Sequence, residues 1–145
     1  MVEDNDVIAL AQTGTGKTAA FGLPILQKIN VSEYQPQALI LCPTRELCLQ
    51  IAGDLNDYSK YIDNLKVLPV YGGSSIESQI KALKRGVHVI VATPGRLLDL
   101  MNRRTVDLGT VRSVIMDEAD EMLNMGFTES INAILAEVPA SRNML

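Results

Sequence analysis

The stretch that decides the fold is NDVIALAQTGTGKT, residues Asn5–Thr18. It opens with a short apolar run, Asp6–Leu10, and passes directly into a glycine-rich segment. From Lys17 to Ile29, apolar residues recur at four-residue steps, which is the spacing of one face of an α-helix. The pattern therefore predicts a buried strand, a glycine-rich loop and a helix, in that order.

The same alternation continues along the chain. Thr44 is the expected N-cap of a second helix, and Gly86 is expected to close a third. Continuous apolar strands separated by helices indicate a parallel sheet that is covered on both faces. The sequence predicts an α/β fold, a three-layer α/β/α sandwich with a mostly parallel sheet. The further apolar runs that predict its strands are Gln37–Cys42, Val67–Tyr71, Val87–Ala92 and Val111–Met116.

Composition limits the classes of protein to consider. The chain has 145 residues, 47% of them hydrophobic, which can fill the core of one domain. No apolar run reaches the ~20 residues of a membrane-spanning helix, and the acidic N-terminus lacks the basic region of a signal peptide. Cys42 and Cys48 fit neither a CxxC pair nor a disulfide framework, so a reducing, cytoplasmic setting is expected.

The charge and the aromatic content bear on nucleic-acid binding. A net charge of -4 gives the chain no basic footprint, and with four Tyr, two Phe and no Trp a base-stacking platform is not expected. Neither fact excludes binding of a sugar–phosphate backbone by loops and helix ends.

The segment AQTGTGKT (Ala11–Thr18) is a candidate phosphate loop. It matches the pattern GxxxxGK[ST] except that Ala11 stands where the first glycine is usual. Lys17 is expected to reach the β- and γ-phosphates of ATP, and the Thr18 hydroxyl to bind Mg²⁺. The alternative is a glycine-rich turn that only caps a helix. The candidate nucleotide-binding residues are Ala11, Gln12, Thr13, Gly14, Thr15, Gly16, Lys17 and Thr18.

The segment SVIMDEAD (Ser113–Asp120) places carboxylates at the end of an apolar run. Asp117 is expected to hold Mg²⁺ through water, since Mg²⁺ usually keeps several waters. Glu118 is expected to orient or activate the attacking water. The alternative is an acidic first turn of a helix, which the helix dipole favours. Together with the phosphate loop, the pair indicates hydrolysis of a nucleoside triphosphate, with Lys17, Asp117 and Glu118 as catalytic candidates.

Five motifs follow one another along the chain, namely AQTGTGKT, PTREL (Pro43–Leu47), Gly72-Gly73, TPGR (Thr93–Arg96) and DEAD (Asp117–Asp120). Their order resembles that of the first RecA-like domain of the DEAD-box RNA helicases. The resemblance covers nearly all of the chain, and the run DEADEMLNMGF (Asp117–Phe127) is similar to the bacterial members. It implies a RecA-like, phosphate-loop NTPase fold that couples ATP hydrolysis to local RNA unwinding or ribonucleoprotein remodelling.

The resemblance also implies roles for single residues. Asp120 is expected to couple the nucleotide site to a later SAT motif. Cys48, where the family commonly has Ala, is expected to be a packed small residue. Taken alone, each RNA motif is better explained as a helix start or a bare turn, and it is the joint order of the motifs that favours RNA contacts. The residues expected to contact the RNA sugar–phosphate backbone, without reading sequence, are Pro43, Thr44, Arg45, Gly72, Gly73, Thr93, Pro94, Gly95 and Arg96.

Set against the family pattern, residues 1–145 are expected to lack three parts: the adenine-reading Q motif, the SAT motif and the second RecA-like domain. Met144 and Leu145 are expected to begin the SAT-bearing strand, beside the strand that ends in Asp117. The fragment alone is expected to be nearly inactive. Two rivals remain open, namely a phosphate-loop ATPase with no nucleic-acid role and a non-enzymatic module that binds RNA or a protein.

Overall fold

The computed structural model of the chain describes residues 15–139 and 143–144, with side chains from residue 18 to residue 139. The predicted first strand, Asp6–Leu10, lies outside the described residues. Helices and strands alternate along the rest, as predicted. The helices are α1 (Thr15–Lys28), α2 (Arg45–Tyr58), α3 (Ile76–Arg85), α4 (Pro94–Asn102), α5 (Ala119–Asn124) and α6 (Thr128–Ala136). The strands are β1 (Ala38–Leu41), β2 (Val67–Val70), β3 (Val89–Ala92), β4 (Ser113–Met116) and β5 (Asn143–Met144).

The strands form one sheet in the order β2-β3-β1-β4-β5, and every pair is parallel. Leu39 at the centre of β1 pairs with Ile90 of β3 on one side and with Val114 of β4 on the other. In β5, Met144 pairs with Val114. The expected strand beside the acidic segment is therefore confirmed at Met144; it begins one residue earlier, at Asn143, and Leu145 lies outside the described residues.

Helices cover both faces of the sheet. Ala38 and Ile40 of β1 belong to a core with residues of α1 and α2, whereas Leu39 and Leu41 belong to a second core with residues of α4, α5 and α6. Leu39, Ile40 and Leu41 are fully buried. Burying one such side chain contributes ~1.5–3 kcal/mol. The predicted three-layer sandwich is confirmed, and its doubly covered strands explain the continuous apolar runs.

The predicted helix ends are also confirmed. The Thr44 hydroxyl accepts a hydrogen bond from the Leu47 N–H at 3.2 Å and caps α2. Gly86 ends α3 with φ of 101°, in the left-handed region, and a Cβ there would lie 2.7 Å from the Cβ of Tyr34. Only glycine fits this position without a shift of the neighbouring chain.

None of the helices that the structure describes is long and apolar enough to cross a membrane.

Candidate functional site

Four loops follow four neighbouring strands at the carboxyl edge of the sheet. They are Pro43–Arg45 after β1, Gly72-Gly73 after β2, Thr93–Arg96 after β3 and Asp117–Asp120 after β4. Ligands of open α/β sheets bind beyond this edge. Because the strand order is β2-β3-β1-β4, the first three loops are adjacent and the acidic loop lies next to the loop of β1.

The phosphate loop is described only at its helical end. The predicted residues Ala11–Gly14 lie outside the described residues, as do the side chains of residues 15–17. The backbone of α1 begins at Thr15, so Lys17 lies in the first helical turn. Thr18, the predicted Mg²⁺ ligand, is 4% exposed. The glycine-rich segment thus leads into a helix N-terminus, as the sequence predicts.

Asp117 lies at the end of β4 and is 3% exposed. Its N–H donates to the carbonyl of Leu41 at 2.8 Å, which extends the pairing of β1 with β4 by one residue. A carboxylate at Asp117 and a hydroxyl at Thr18 are hard oxygen donors of the kind that Mg²⁺ prefers. Among the described side chains, no three His, Cys, Asp or Glu converge on one point.

Glu118 follows Asp117 in a left-handed backbone conformation, with φ of 57° and ψ of 50°. For a residue other than glycine this conformation costs ~1–2 kcal/mol, and such strain is concentrated at functional sites. Helix α5 begins at the next residue, with the exposed Asp120 in its first turn. The acidic segment is therefore both a helix start and a strained turn, so the two interpretations of it are compatible.

Two arginines lie beside the Gly72-Gly73 loop. The Arg45 guanidinium carbon is 5.1 Å from the centroid of the Tyr71 ring, and its Nη1 is 3.8 Å from the point where a Cβ on Gly73 would lie. Arg96 donates from Nη1 and Nη2 to the Ser74 carbonyl, each at 3.3 Å. The structure records no carboxylate partner for either arginine among residues 18–139. Both positive charges therefore remain available to an anion.

The backbone of the same loop is open to close approach. Gly72 and Gly73 are exposed, and Gly73 has φ of 86°, which favours glycine. A Cβ on Gly72 or on Gly95 would meet no atom within 4 Å. The predicted Pro43 and Pro94 are buried; Pro43 directly precedes the N-cap of α2, and Pro94 takes the first position of α4.

Thr44 and Thr93 occupy equivalent places but bond differently. Both are N-caps, yet only the Thr44 hydroxyl accepts a hydrogen bond from its helix. Thr93 donates its N–H to the Val70 carbonyl at 2.9 Å, and Pro94 takes the first helical position. The Thr93 hydroxyl thus has no capping bond that a ligand would have to replace.

A family model described as "DEAD/DEAH box helicase" matches residues 1–145 of this chain. The chain belongs to the DEAD/DEAH box helicase family. The alternating fold and the loops at the carboxyl edge of the sheet are therefore those of a DEAD-box helicase domain.

The curated relatives carry matching names. The DEAD-box ATP-dependent RNA helicase CshA of Geobacillus kaustophilus is 55% identical over 144 residues, which cover 99% of this chain and 31% of that protein. The ATP-dependent RNA helicase DeaD of Mycobacterium tuberculosis is 52% identical over 139 residues, covering 96% of this chain and 25% of that protein. This DEAD-box chain therefore spans about a quarter to a third of the length of such relatives.

Solved structures agree on the fold. A yeast DEAD-box splicing factor matches with a TM-score of 0.84 at 35% identity, over 97% of this chain and 35% of that one. A hypothetical ATP-dependent RNA helicase from Sulfolobus tokodaii matches with a TM-score of 0.83 at 42% identity, over 97% of this chain and 40% of that one. The predicted RecA-like α/β fold is thus confirmed.

The two cysteines of this DEAD-box domain are packed side chains. Both are fully buried, and the Cys48 thiol donates to the Val91 carbonyl at 3.0 Å while the Cys42 thiol contacts the Ala92 carbonyl at 3.7 Å. The neighbouring Cys48 side chain and burial raise the pKa of the Cys42 thiol far above its ordinary range. The expectation that Cys48 is a packed small residue agrees with this environment.

Sequence reasoning missed one polar residue of the site, Gln79 on α3. It is 5% exposed and hydrogen-bonds to the loops after β2 and β3. A signal was present, because Gln79 interrupts the apolar stripe of Ile76, Ile80 and Leu83 with a polar side chain. A glutamine on the buried face of a helix requires hydrogen-bond partners in the core or at its border.

Proposed function

We propose that this chain is the first RecA-like domain of an ATP-dependent RNA helicase that unwinds RNA duplexes locally or remodels ribonucleoproteins. The observation that carries the proposal is the convergence of four loops at one sheet edge, where Arg45 and Arg96 both lie beside the Gly72-Gly73 loop. Membership of the DEAD/DEAH box family and the names of the relatives support it.

The nucleotide half of the proposal assigns the segment Ala11–Thr18 to the phosphates of ATP, with Lys17 on the β- and γ-phosphates. Thr18 and Asp117 hold Mg²⁺, the latter through water. When bound, Mg²⁺ neutralises charge that develops on the phosphate oxygens. Glu118 orients the attacking water and accepts its proton. Asp120, exposed at the start of α5, couples this site to the SAT motif.

The RNA half of the proposal assigns the other three loops to the sugar–phosphate backbone. Helix N-termini, glycine backbone amides and single arginines bind phosphates without reading bases. The net charge of -4 does not oppose this, because Arg45 and Arg96 place two positive charges beside the Gly72-Gly73 loop. The residues assigned are Pro43, Thr44, Arg45, Gly72, Gly73, Thr93, Pro94, Gly95 and Arg96.

A two-domain motor accounts for the share of the relatives that this chain covers. We infer that the rest of the whole protein supplies the second RecA-like domain and an arginine finger, which is worth ~10³–10⁵ in rate in related phosphoryl-transfer enzymes. Residues 1–145 alone are then expected to hydrolyse ATP very slowly and to leave RNA duplexes intact.

The test compares two arginines of one helix in the full-length protein. Arg96 lies near the start of α4, at the proposed RNA edge, whereas Arg103 caps its end and pairs with Asp99 at 3.0 Å. ATP hydrolysis is measured against the concentration of single-stranded RNA. Arg96→Ala is expected to raise the half-saturating RNA concentration. It is also expected to reduce by ~0.7 the slope with which the logarithm of the RNA-binding constant falls against the logarithm of salt concentration, which is the change for the loss of one phosphate contact. Arg103→Ala is the matched control and is expected to change neither.

The outcomes separate the rivals. Hydrolysis that RNA does not stimulate would favour a phosphate-loop ATPase with no nucleic-acid role. RNA binding that is independent of nucleotide and survives Lys17→Ala would favour a non-enzymatic module. Equal effects of Arg96→Ala and Arg103→Ala would contradict the assignment of Arg96 to RNA.

A further inference from the structure

Gln79 joins two of the proposed RNA loops through a buried amide. Its Nε2 donates to the Tyr71 carbonyl at 3.2 Å and to the Ser74 hydroxyl at 2.9 Å. Its Oε1 accepts from Arg96 Nη1 at 3.0 Å. Tyr71 and Ser74 flank the Gly72-Gly73 loop, so one side chain contacts both ends of that loop and the arginine beside it.

The chemistry of the partners fixes the orientation of this amide. A carbonyl oxygen accepts only from the NH₂ group, and a guanidinium donates only to the oxygen. Arg96 also donates to the Ser74 carbonyl at 3.3 Å from each terminal nitrogen. The bonds therefore form a closed network of Gln79, Ser74 and Arg96, and among the side chains of residues 18–139 no bond of Arg96 uses its Nε.

We propose that Gln79 is a positioning residue that holds Arg96 and the Gly72-Gly73 loop in one arrangement, ready to bind the phosphates of an RNA backbone. The inference deepens the proposed function and rests on it. A free arginine side chain loses conformational entropy when a ligand fixes it, and a side chain that is fixed in advance loses less. The anchored guanidinium keeps its charge and its Nε–H for the incoming phosphate.

Gln37 provides a matched control within the same molecule. It is 6% exposed, close to the 5% of Gln79, and its amide also makes three hydrogen bonds. Those bonds all stay within the segment of residues 30–37, before the start of β1. Loss of the Gln37 amide therefore reports the cost of removing a buried glutamine at the opposite end of the sheet.

The experiment uses the full-length protein and fluorescein-labelled oligouridine, with a non-hydrolysable ATP analogue present. Gln79→Met removes the amide and keeps the length of the side chain. It is expected to weaken oligouridine binding ~3–10-fold, the effect of freeing one long side chain. The rate of ATP hydrolysis at saturating RNA is expected to stay within about twofold, because Gln79 touches no group of the nucleotide site. Gln37→Met is expected to leave oligouridine affinity unchanged.

A double-mutant cycle tests whether Gln79 acts through Arg96. In the Arg96→Ala background, Gln79→Met is expected to cause a smaller loss of affinity than in the parent protein, because only its bonds to Tyr71 and Ser74 remain to be lost. Additive losses, or unchanged affinity in Gln79→Met, would overturn the role of Gln79. Unchanged affinity in Arg96→Ala itself would instead contradict the proposed function. If Gln79→Met does not fold, Gln79→Asn replaces it, because the shorter amide cannot span Tyr71 and Arg96 and the same loss is expected.

Discussion

The loops after β2 and β3 lie at the same sheet edge as the loop after β4, but they are stabilised in different ways. Between Tyr71 and Arg96, the backbone and side chains are held by a network of hydrogen bonds that centres on Gln79. After β4, Glu118 is held in a left-handed conformation in which it makes no side-chain capping bond. One region is fixed by satisfied polar groups and the other by strain that its neighbours impose.

The neighbours of Glu118 explain why the strain persists. Asp117 is bonded to Leu41 through its backbone, and the Met122 N–H donates to the Glu118 carbonyl at 3.1 Å while the Met122 side chain is fully buried. The chain is therefore fixed on both sides of the strained residue. A binding surface gains affinity when its groups are held in place before the ligand arrives. A carboxylate proposed to act in catalysis must instead point in one direction, even when that direction requires a strained backbone.

The largest effect is expected at Glu118, the residue with the left-handed backbone after β4. Glu118→Gly is expected to reduce ATP hydrolysis in the full-length protein ~10²–10⁴-fold, the usual contribution of a general base. It is also expected to raise the free energy of unfolding by on the order of 1 kcal/mol, because glycine adopts the left-handed conformation without strain. Urea unfolding and steady-state hydrolysis measure the two effects.

Arg104 is the matched control for that variant. It has φ of 58°, is exposed and lies just after α4. Arg104→Gly is expected to raise stability by a similar amount with no change in hydrolysis. A loss of stability in Glu118→Gly would show that the left-handed backbone is not a source of strain.

The next largest effect is expected at Gly73, in the loop beside Arg45 and Arg96. Gly73→Ala is expected to lower the free energy of unfolding by ~1–2 kcal/mol, since alanine must take a left-handed backbone there. Gly72→Ala is the control, because a Cβ at Gly72 meets no atom within 4 Å, and its effect is expected to stay within about 0.5 kcal/mol. Equal effects in urea unfolding would contradict the assigned difference between the two glycines.

A smaller effect compares the two threonines at the starts of α2 and α4. Thr44→Val removes a capping hydrogen bond and is expected to cost ~1 kcal/mol of stability. Thr93→Val removes no capping bond and is expected to leave stability nearly unchanged while weakening RNA binding. Thermal unfolding and oligouridine titration of both variants check this, and a larger loss of stability in Thr93→Val would refute it.

The smallest effect concerns the buried thiols beneath these loops. The pKa of the Cys42 thiol is higher in the folded than in the unfolded protein. The stabilisation that results from this difference is therefore fully present at pH values below the ordinary thiol pKa of ~8.5. That contribution is lost as the pH rises above this value. The free energy of unfolding of the parent chain is expected to fall more than that of Cys42→Ala between neutral pH and about pH 9.5. Parallel pH profiles would show that Cys42 makes no such contribution.

Much of the fold could be predicted from the sequence because local patterns carry it. The run of Leu39, Ile40 and Leu41 is apolar at successive positions, since both faces of β1 are covered. Thr44 marks the start of α2 because its side chain caps the helix, and Gly86 marks the end of α3 because it has no side chain. Motif order then predicted which loops form the candidate site, because each motif directly follows an apolar run.

The sequence by itself therefore determined the α/β class, the helix ends and the family, since these depend on neighbours within one or two turns or on the order of short motifs. Only the tertiary structure decided that Gln79 meets Arg96, that Glu118 is strained and that the Cys48 thiol contacts Val91. Those facts depend on the strand order β2-β3-β1-β4, which brings together segments distant in the chain. No residue pattern encodes such contacts locally, because each is the product of how whole strands and helices pack.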